Sequence, residues 1–277
     1  LVLIPLLTSG QLTDPRAVLA ALSALVAFCL TASGTYVIND LLDVQTDRLH
    51  PEKRHRPIPR GDVPLREGLV GGPLLVFAGC VLAAQEGLAL GVTLVTYAVA
   101  TLAYSVRLKS SVLTDVILLA GFYVLRVLAG SLAVDSVLSL WLFSFTLFAF
   151  FSFGLAKRYV ETRRHGAELA HESSRRGYRA SDANAILALG AASAVASVTI
   201  LALYINDDEA ARPYPAPELL WLILPAVLYW VSRVWIVATR EEMQSDPISW
   251  ALRDRLSLVT GGAVIAIYLV ARYVTLP

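Results

Sequence analysis

Asn39, Asp40, Asp43 and Asp47 stand in the run N-D-L-L-D-V-Q-T-D, directly after a long apolar stretch. On a helix the three aspartates are related by i+3 and i+4 steps and project from one face, with Asn39 at its edge. Three carboxylates this close at low local dielectric repel one another, so they call for a divalent metal or a basic partner. From Asp40 to Asp47 a helix rises about 10 Å, whereas Mg2+ holds its oxygens at about 2.1 Å and keeps several waters. The spacing predicts two ions, or one ion with water-bridged outer ligands, and bound phosphate completing the shell. The plainer alternative is a polar helix end whose acids pair with Arg48, Lys53 and Arg54.

Basic residues follow at once. H-P-E-K-R-H-R-P-I-P-R-G places Lys53, Arg54, Arg56 and Arg60 after the acids, where they are suited to neutralising a diphosphate. Pro57, Pro59, Gly61 and Pro64 predict irregular backbone under Arg56 and Arg60. Farther on, K-R-Y-V-E sets Lys157, Arg158 and Glu161 on one helical face, with the two cations placed to hold a phosphate. Tyr104 and Lys109, in Y-S-V-R-L-K, end an apolar stretch, where they reach toward a diphosphate or simply anchor the helix at the interface.

Two arginines lie inside apolar runs, where a guanidinium is costly unless paired or facing water. Arg126 is a candidate for phosphate or lipid contact, with a structural partner as the alternative. It lies about 16 Å along one helix from Asp115, which is expected at the mouth of a polar cavity with Arg126 deeper. Arg233 is expected to snorkel or to pair with a neighbouring span. Asp254 is expected to cap the last helix.

Hydrophobic residues make up 56% of the 277 positions, above the roughly 45 to 50% of soluble domains. Apolar stretches at about 15–38, 67–85, 88–106, 112–134, 138–156, 184–205, 218–238 and 256–274 are each near the roughly 20 residues that span a bilayer. Period-2 alternation is absent, which disfavours a barrel. The expected fold is an all-α, polytopic membrane bundle of eight visible transmembrane helices around a central cavity, one domain over 1–277.

With short alternate connections, the loops 39–66, 107–111, 157–183 and 239–255 share one side, and eighteen of the 23 Lys and Arg residues fall in them, Arg175 and Arg176 included. The positive-inside rule makes that side cytoplasmic. A net charge of +1, with the cations confined to one face, points to phosphorylated metabolites or anionic lipid and not to nucleic acid. Cys29 and Cys80 lie within apolar runs and support neither a disulfide framework nor a thiolate metal site.

N-D-x-x-D-x-x-x-D at the end of a membrane helix, followed by H-P-x-K-R-x-R-P-I-x-x-G, resembles the first acidic motif of the UbiA superfamily of intramembrane prenyltransferases. Y-S-V-R-L-K, D-V-I-L-L-A-G-F-Y-V-L-R-V-L-A-G, A-K-R-Y-V-E and D-P-I-S-W-A-L-R-D-R stand in the family's order, so the resemblance covers essentially the whole chain. It implies nine helices around a cavity capped by cytosolic loops, with Mg2+ as cofactor holding a diphosphate on Asn39, Asp40, Asp43 and Asp47. The ninth helix would come from a segment preceding Leu1.

Where prenyl-diphosphate users carry a second aspartate-rich motif, this chain reads K-R-Y-V-E-T-R-R-H-G, with Glu161 as its single acid. That pattern and the L-R-D-R ending are similar to the decaprenyl-phosphate phosphoribosyltransferase branch. The resemblance implies transfer of 5-phosphoribose from phosphoribosyl diphosphate to a polyprenyl phosphate for cell-wall biosynthesis, at the plasma membrane with the site facing the cytoplasm. A homo-oligomer is compatible with the sequence. The rivals are a prenyltransferase acting on an aromatic acceptor and a membrane transporter; acids at a helix mouth disfavour the second.

Overall fold

The computed structural model describes residues 1–49, 53–137, 139–164, 177–207, 214–243 and 246–274, leaving aside the side chain of Arg164. Arg175 and Arg176 of the third polar loop therefore lie outside the described residues. The described chain is helical, without strands: α1 Ile4–Thr8, α2 Pro15–Leu42, α3 Val44–Leu49, α4 Pro57–Arg60, α5 Leu65–Glu86, α6 Leu88–Val106, α7 Thr114–Ala133, α8 Leu140–Arg164, α9 Ala183–Ile205, α10 Ile223–Thr239, α11 Pro247–Ala251 and α12 Arg255–Tyr273.

Eight of the described helices are long and apolar enough to cross a bilayer, and they coincide with the eight apolar stretches of the sequence. Leu69, Leu74 and Phe77 of α5 are exposed on its surface, as expected of a helix whose solvent on that face is lipid. Local signals set the helix starts. Pro15 occupies the first turn of α2, where its missing N–H costs nothing, and Asp14 caps that turn by accepting from Arg16 N at 2.9 Å. Asp254 likewise caps α12, accepting from Ser257 N at 2.7 Å.

The chain falls into two compact units, one of Leu1–Leu108 with Leu125–Leu138 and one of Lys109–Val124 with Ser139–Pro277. In the first, α2 lies along α5 with backbones in near contact. A Cβ on Gly34 would come within 2.5 Å of the Gly72 carbonyl, and one on Gly79 would collide with Thr31. Small residues at these crossings let dispersion contacts hold the pair in a solvent as apolar as the side chains themselves. Cys29 and Cys80 are both free thiols.

The second unit is built around Val116, Leu155, Tyr159, Ile186, Val234, Trp235 and Met243. Trp235 lies over Gly190, and its indole Nε1 donates to Ser152 Oγ at 3.0 Å while that hydroxyl donates to the Gly190 carbonyl at 2.8 Å. The indole N–H and the buried hydroxyl at this α8–α9–α10 crossing thereby each have a partner.

Candidate active site

The end of α2 is not a continuous helix through the acidic motif. The helix stops at Leu42, Asp43 takes φ −95° and ψ 3°, and α3 starts at Val44. Asp43 N still donates to the Asn39 carbonyl at 3.0 Å, while the Asp43 carbonyl accepts from Asp47 N at 2.8 Å and from Thr46 Oγ1 at 2.8 Å. Asp40 and Asp47 thus belong to successive helices that meet at Asp43.

A second departure from the sequence reading concerns the prolines. Pro57 to Arg60 form one helical turn, preceded by a 3-10 turn at Lys53–His55 and closed by Gly61 at φ 93°. Prolines in a first turn lose only N–H groups that have no helical partner anyway, so the run shapes a short helix where irregular backbone was expected. Arg48 Nε donates to the Pro59 carbonyl at 3.1 Å, tying α3 to α4.

That arrangement brings Arg56 over the acids. Its Nη1 donates to Asp40 Oδ1 at 2.8 Å and to Asp47 Oδ2 at 3.1 Å. Asp47 is buried, whereas Asn39, Asp40 and Asp43 are half-buried. Lys53 is half-buried nearby in sequence, Arg54 is exposed and donates to His55 Nε2, and Arg60 turns to Asp62 at 3.4 Å. Arg48, offered as a pairing partner for the acids, serves a backbone carbonyl instead.

Among the described residues no three of His, Cys, Asp and Glu converge closely enough to hold a metal ion by themselves. The donor set nevertheless suits Mg2+. One cationic nitrogen already reaches a carboxylate oxygen of both Asp40 and Asp47, so a single positive centre can be shared between them. Two carboxylates with phosphate oxygens and waters in the other positions is the coordination a reluctantly dehydrated Mg2+ favours.

Arg126 belongs to the same unit and is held by aromatics. Its Cζ lies 5.3 Å from the Phe28 ring centre and 5.4 Å from that of Tyr97, and its Nη2 donates to the Tyr97 hydroxyl at 3.2 Å. Cation–π contacts of this kind stabilise a guanidinium where water is excluded. Tyr104 is half-buried near the end of α6.

The remaining candidates fall in the second unit. Lys109 is half-buried in a 3-10 turn at Leu108–Ser110. Lys157 Nζ lies 3.9 Å from Asp246 Oδ1, with both side chains partly exposed. Arg158, expected as an open phosphate-facing cation, is buried instead: Nε donates to Asp115 Oδ2 at 2.7 Å and Nη1 to Glu161 Oε2. Asp115, expected to be open to a polar cavity, is likewise buried, and its other oxygen accepts from the Tyr178 hydroxyl at 2.7 Å.

The Tyr178 hydroxyl accepts in turn from Leu113 N at 2.9 Å. Leu113 has φ 64°, an uncommon conformation for a branched side chain, stabilised here by that bond. Burial, and then the bond to Asp115, push the Tyr178 phenol above its ordinary range, so it remains a proton donor through neutral pH. Tyr178 was missed from the sequence, as a single tyrosine beyond a polar loop carries no spacing signal. The pairing expected for Arg233 is present, with Nη2 donating to Asp254 Oδ1 at 2.9 Å.

Comparison with known proteins agrees with this architecture. The sequence profile described as the UbiA prenyltransferase family matches residues 2–253. The chain is 33% identical over 272 residues to y4nM of Sinorhizobium fredii, covering 98% of this chain but only 53% of that protein, so it spans about half of that relative's length. It is 31% identical to the nodulation protein NoeC of Azorhizobium caulinodans, over 94% of this chain and 84% of the relative. To decaprenyl-phosphate phosphoribosyltransferase of Mycolicibacterium smegmatis it is 30% identical, over 84% of this chain and 74% of the other. Among solved structures, a UbiA homolog from Archaeoglobus fulgidus bound to GPP and Mg2+ superposes with a TM-score of 0.69 at 16% identity, covering 99% of this chain and 95% of that one.

Proposed function

Because the chain belongs to the UbiA prenyltransferase family, we propose that it transfers 5-phosphoribose from phosphoribosyl diphosphate to a polyprenyl phosphate, with Mg2+ as cofactor. The observation that carries this reading is the meeting of Asp40, Asp47 and Arg56 where a membrane helix ends. Acidic oxygens for a metal and a guanidinium for phosphate stand together at the end of a helix long and apolar enough to cross a bilayer, which suits a lipid's head group. The relatives named decaprenyl-phosphate phosphoribosyltransferase support the choice of donor.

Asp40 and Asp47 would hold the metal directly, with Asp43 and Asn39 joining through water or a second ion, and the metal when bound supplies Lewis-acid stabilisation to the departing diphosphate. Arg56, Lys53, Arg54 and Arg60 neutralise the same leaving group, and Tyr104 is assigned a hydrogen bond to it. As the bond from C1 to the diphosphate oxygen breaks, charge builds on the ribose as an oxocarbenium ion. The lipid phosphate oxygen, already an anion, forms the new bond at C1 from the opposite face, so no strong base is required and the configuration inverts.

In the second unit, Lys157 and Lys109 are assigned to phosphate of the donor's sugar or of the lipid. Arg158 is given no substrate contact, since Asp115 and Glu161 already engage it. Arg126 is assigned to holding α7 against Phe28 and Tyr97. The positive-inside distribution of loop cations supports a plasma-membrane protein with this chemistry at the cytoplasmic face.

The test uses purified protein, Mg2+, decaprenyl phosphate and labelled phosphoribosyl diphosphate. A lipid-linked pentose phosphate is the expected product. Its absence, with transfer from geranyl or longer prenyl diphosphate to an aromatic acceptor in a parallel incubation, would replace this reading by prenyl transfer.

A further inference from the structure

Arg56 and a divalent metal have a claim on the same two oxygens. Nη1 of Arg56 engages Asp40 Oδ1 and Asp47 Oδ2 together, so it occupies one oxygen of each carboxylate that a shared metal would bind. A guanidinium nitrogen at hydrogen-bond distance and a metal at about 2.1 Å from oxygens of the same carboxylates bring two positive centres within a few ångströms of each other. At an effective dielectric near 20 that repulsion is of the same size as the attraction each has for a carboxylate. Metal and guanidinium therefore compete for these carboxylates.

The backbone beneath Arg56 is fixed while its side chain is not. Arg56 N donates to the Lys53 carbonyl at 3.0 Å, the Arg56 carbonyl accepts from Arg60 N at 2.9 Å, and α4 is tied to α3 through Arg48. The Arg56 side chain is 41% exposed, so its guanidinium can leave the carboxylates without disturbing the loop. A diphosphate offers it a better partner, because two phosphate oxygens match the guanidinium fork.

We propose that Arg56 is an exchangeable counter-ion: it competes with the divalent metal for Asp40 and Asp47, and releases both carboxylates when a diphosphate draws it away. The inference rests on the reading that this helix end binds a metal diphosphate, and adds an order to it. Metal alone binds weakly because it must displace Arg56. Diphosphate raises metal affinity by removing the competitor, and by linkage metal raises diphosphate affinity by the same factor. The device keeps the acidic cluster neutralised between turnovers and ties metal uptake to arrival of the donor.

The test reads Mn2+ binding by electron paramagnetic resonance on the full chain in nanodiscs, with and without inorganic pyrophosphate. Arg56→Gln should bind Mn2+ alone about 10-fold more tightly than the unmodified protein, and pyrophosphate should then improve its affinity by about that much less. Arg56→Lys, which keeps the charge but not the fork, should resemble the unmodified protein with metal alone and lose part of the pyrophosphate gain. Asp40→Asn supplies the background.

Equal or weaker Mn2+ binding by Arg56→Gln without pyrophosphate would overturn the exchange while leaving the metal site intact. An unmodified protein that binds no Mn2+ even with pyrophosphate would overturn both the exchange and the metal reading. Since pyrophosphate is common to phosphoribosyl and prenyl donors, the outcome is independent of which donor the transfer assay selects.

Discussion

Arg56 and Arg158 each bridge two carboxylates, and they do so in opposite surroundings. Arg56 is 41% exposed and shares one nitrogen between Asp40 and Asp47. The Arg158 side chain is 2% exposed, Asp115 beside it is fully buried, and separate nitrogens serve Asp115 and Glu161. Water can replace a partner lost from the first cluster, so its members can be exchanged for metal or phosphate. In the second, Arg158 and Asp115 are closed to water although Glu161 is 31% exposed, so losing Asp115 leaves a buried guanidinium without its buried partner. Similar residues in a similar pattern thus make an open cluster in one unit and a closed one in the other. Burial decides between them.

The comparison is broken most forcefully at the sealed cluster. Asp115→Ala should cost about 3 to 5 kcal/mol, the penalty for leaving a buried guanidinium without its main partner, read as a large fall in the melting temperature of detergent-purified protein. A small change would mean that the cluster is wetter than its burial indicates. At the open cluster the effect moves from stability to chemistry. Asp43→Asn keeps the backbone carbonyl that starts α3, so the protein should remain folded while Mg2+-dependent turnover falls about 100-fold, on the scale of losing one preorganised electrostatic partner of a transition state. Full turnover in that variant would remove Asp43 from the metal set.

Sequence and structure part company at identifiable places. The eight spans were legible because their length and apolarity register along the chain without regard to partners. The Asp40–Asp47 motif was legible because its carboxylates are close in sequence, although the break at Asp43, where φ is −95° and ψ 3°, was not, since no glycine or proline marks it. Arg158 was misread because helical spacing shows only Lys157 and Glu161 as its neighbours. Its buried partner Asp115, and Tyr178, which donates to Asp115, come from positions 43 residues before it and 20 after it. Long-range pairing of single residues leaves no periodic trace.

Tyr178→Phe sharpens the picture of the sealed cluster at smaller cost. Removing the hydroxyl leaves Leu113 N without its acceptor and Asp115 Oδ1 without its donor, and unsatisfied buried groups cost about 1 to 3 kcal/mol. The loss should appear as faster amide hydrogen exchange at Leu113 and a lowered melting temperature. Exchange at Leu113 unchanged from the unmodified protein would show that the strained φ is held by packing and not by that bond.

A third pair, Arg233 with Asp254, has intermediate exposure, at 21% and 17% for the two side chains, and pH separates its behaviour from the other two. The Arg233 guanidinium, assisted by Ser257 N–H and opposed by burial, holds the Asp254 carboxyl at about 2, below its ordinary 3.8. A depressed carboxyl pKa means that the unfolded chain takes up the proton first as pH falls. The stability the pair contributes is therefore complete above about pH 4 and disappears as pH drops toward 2. Asp254→Asn retains an oxygen to cap Ser257 N but has no such titration, so its deficit relative to the unmodified protein should be about 1 kcal/mol at neutral pH and should close between pH 4 and pH 2. A deficit that persists at pH 2 would place Asp254 with the sealed cluster, where packing and not charge makes the difference. A deficit absent at neutral pH would place it with exposed pairs that contribute nothing measurable to folding.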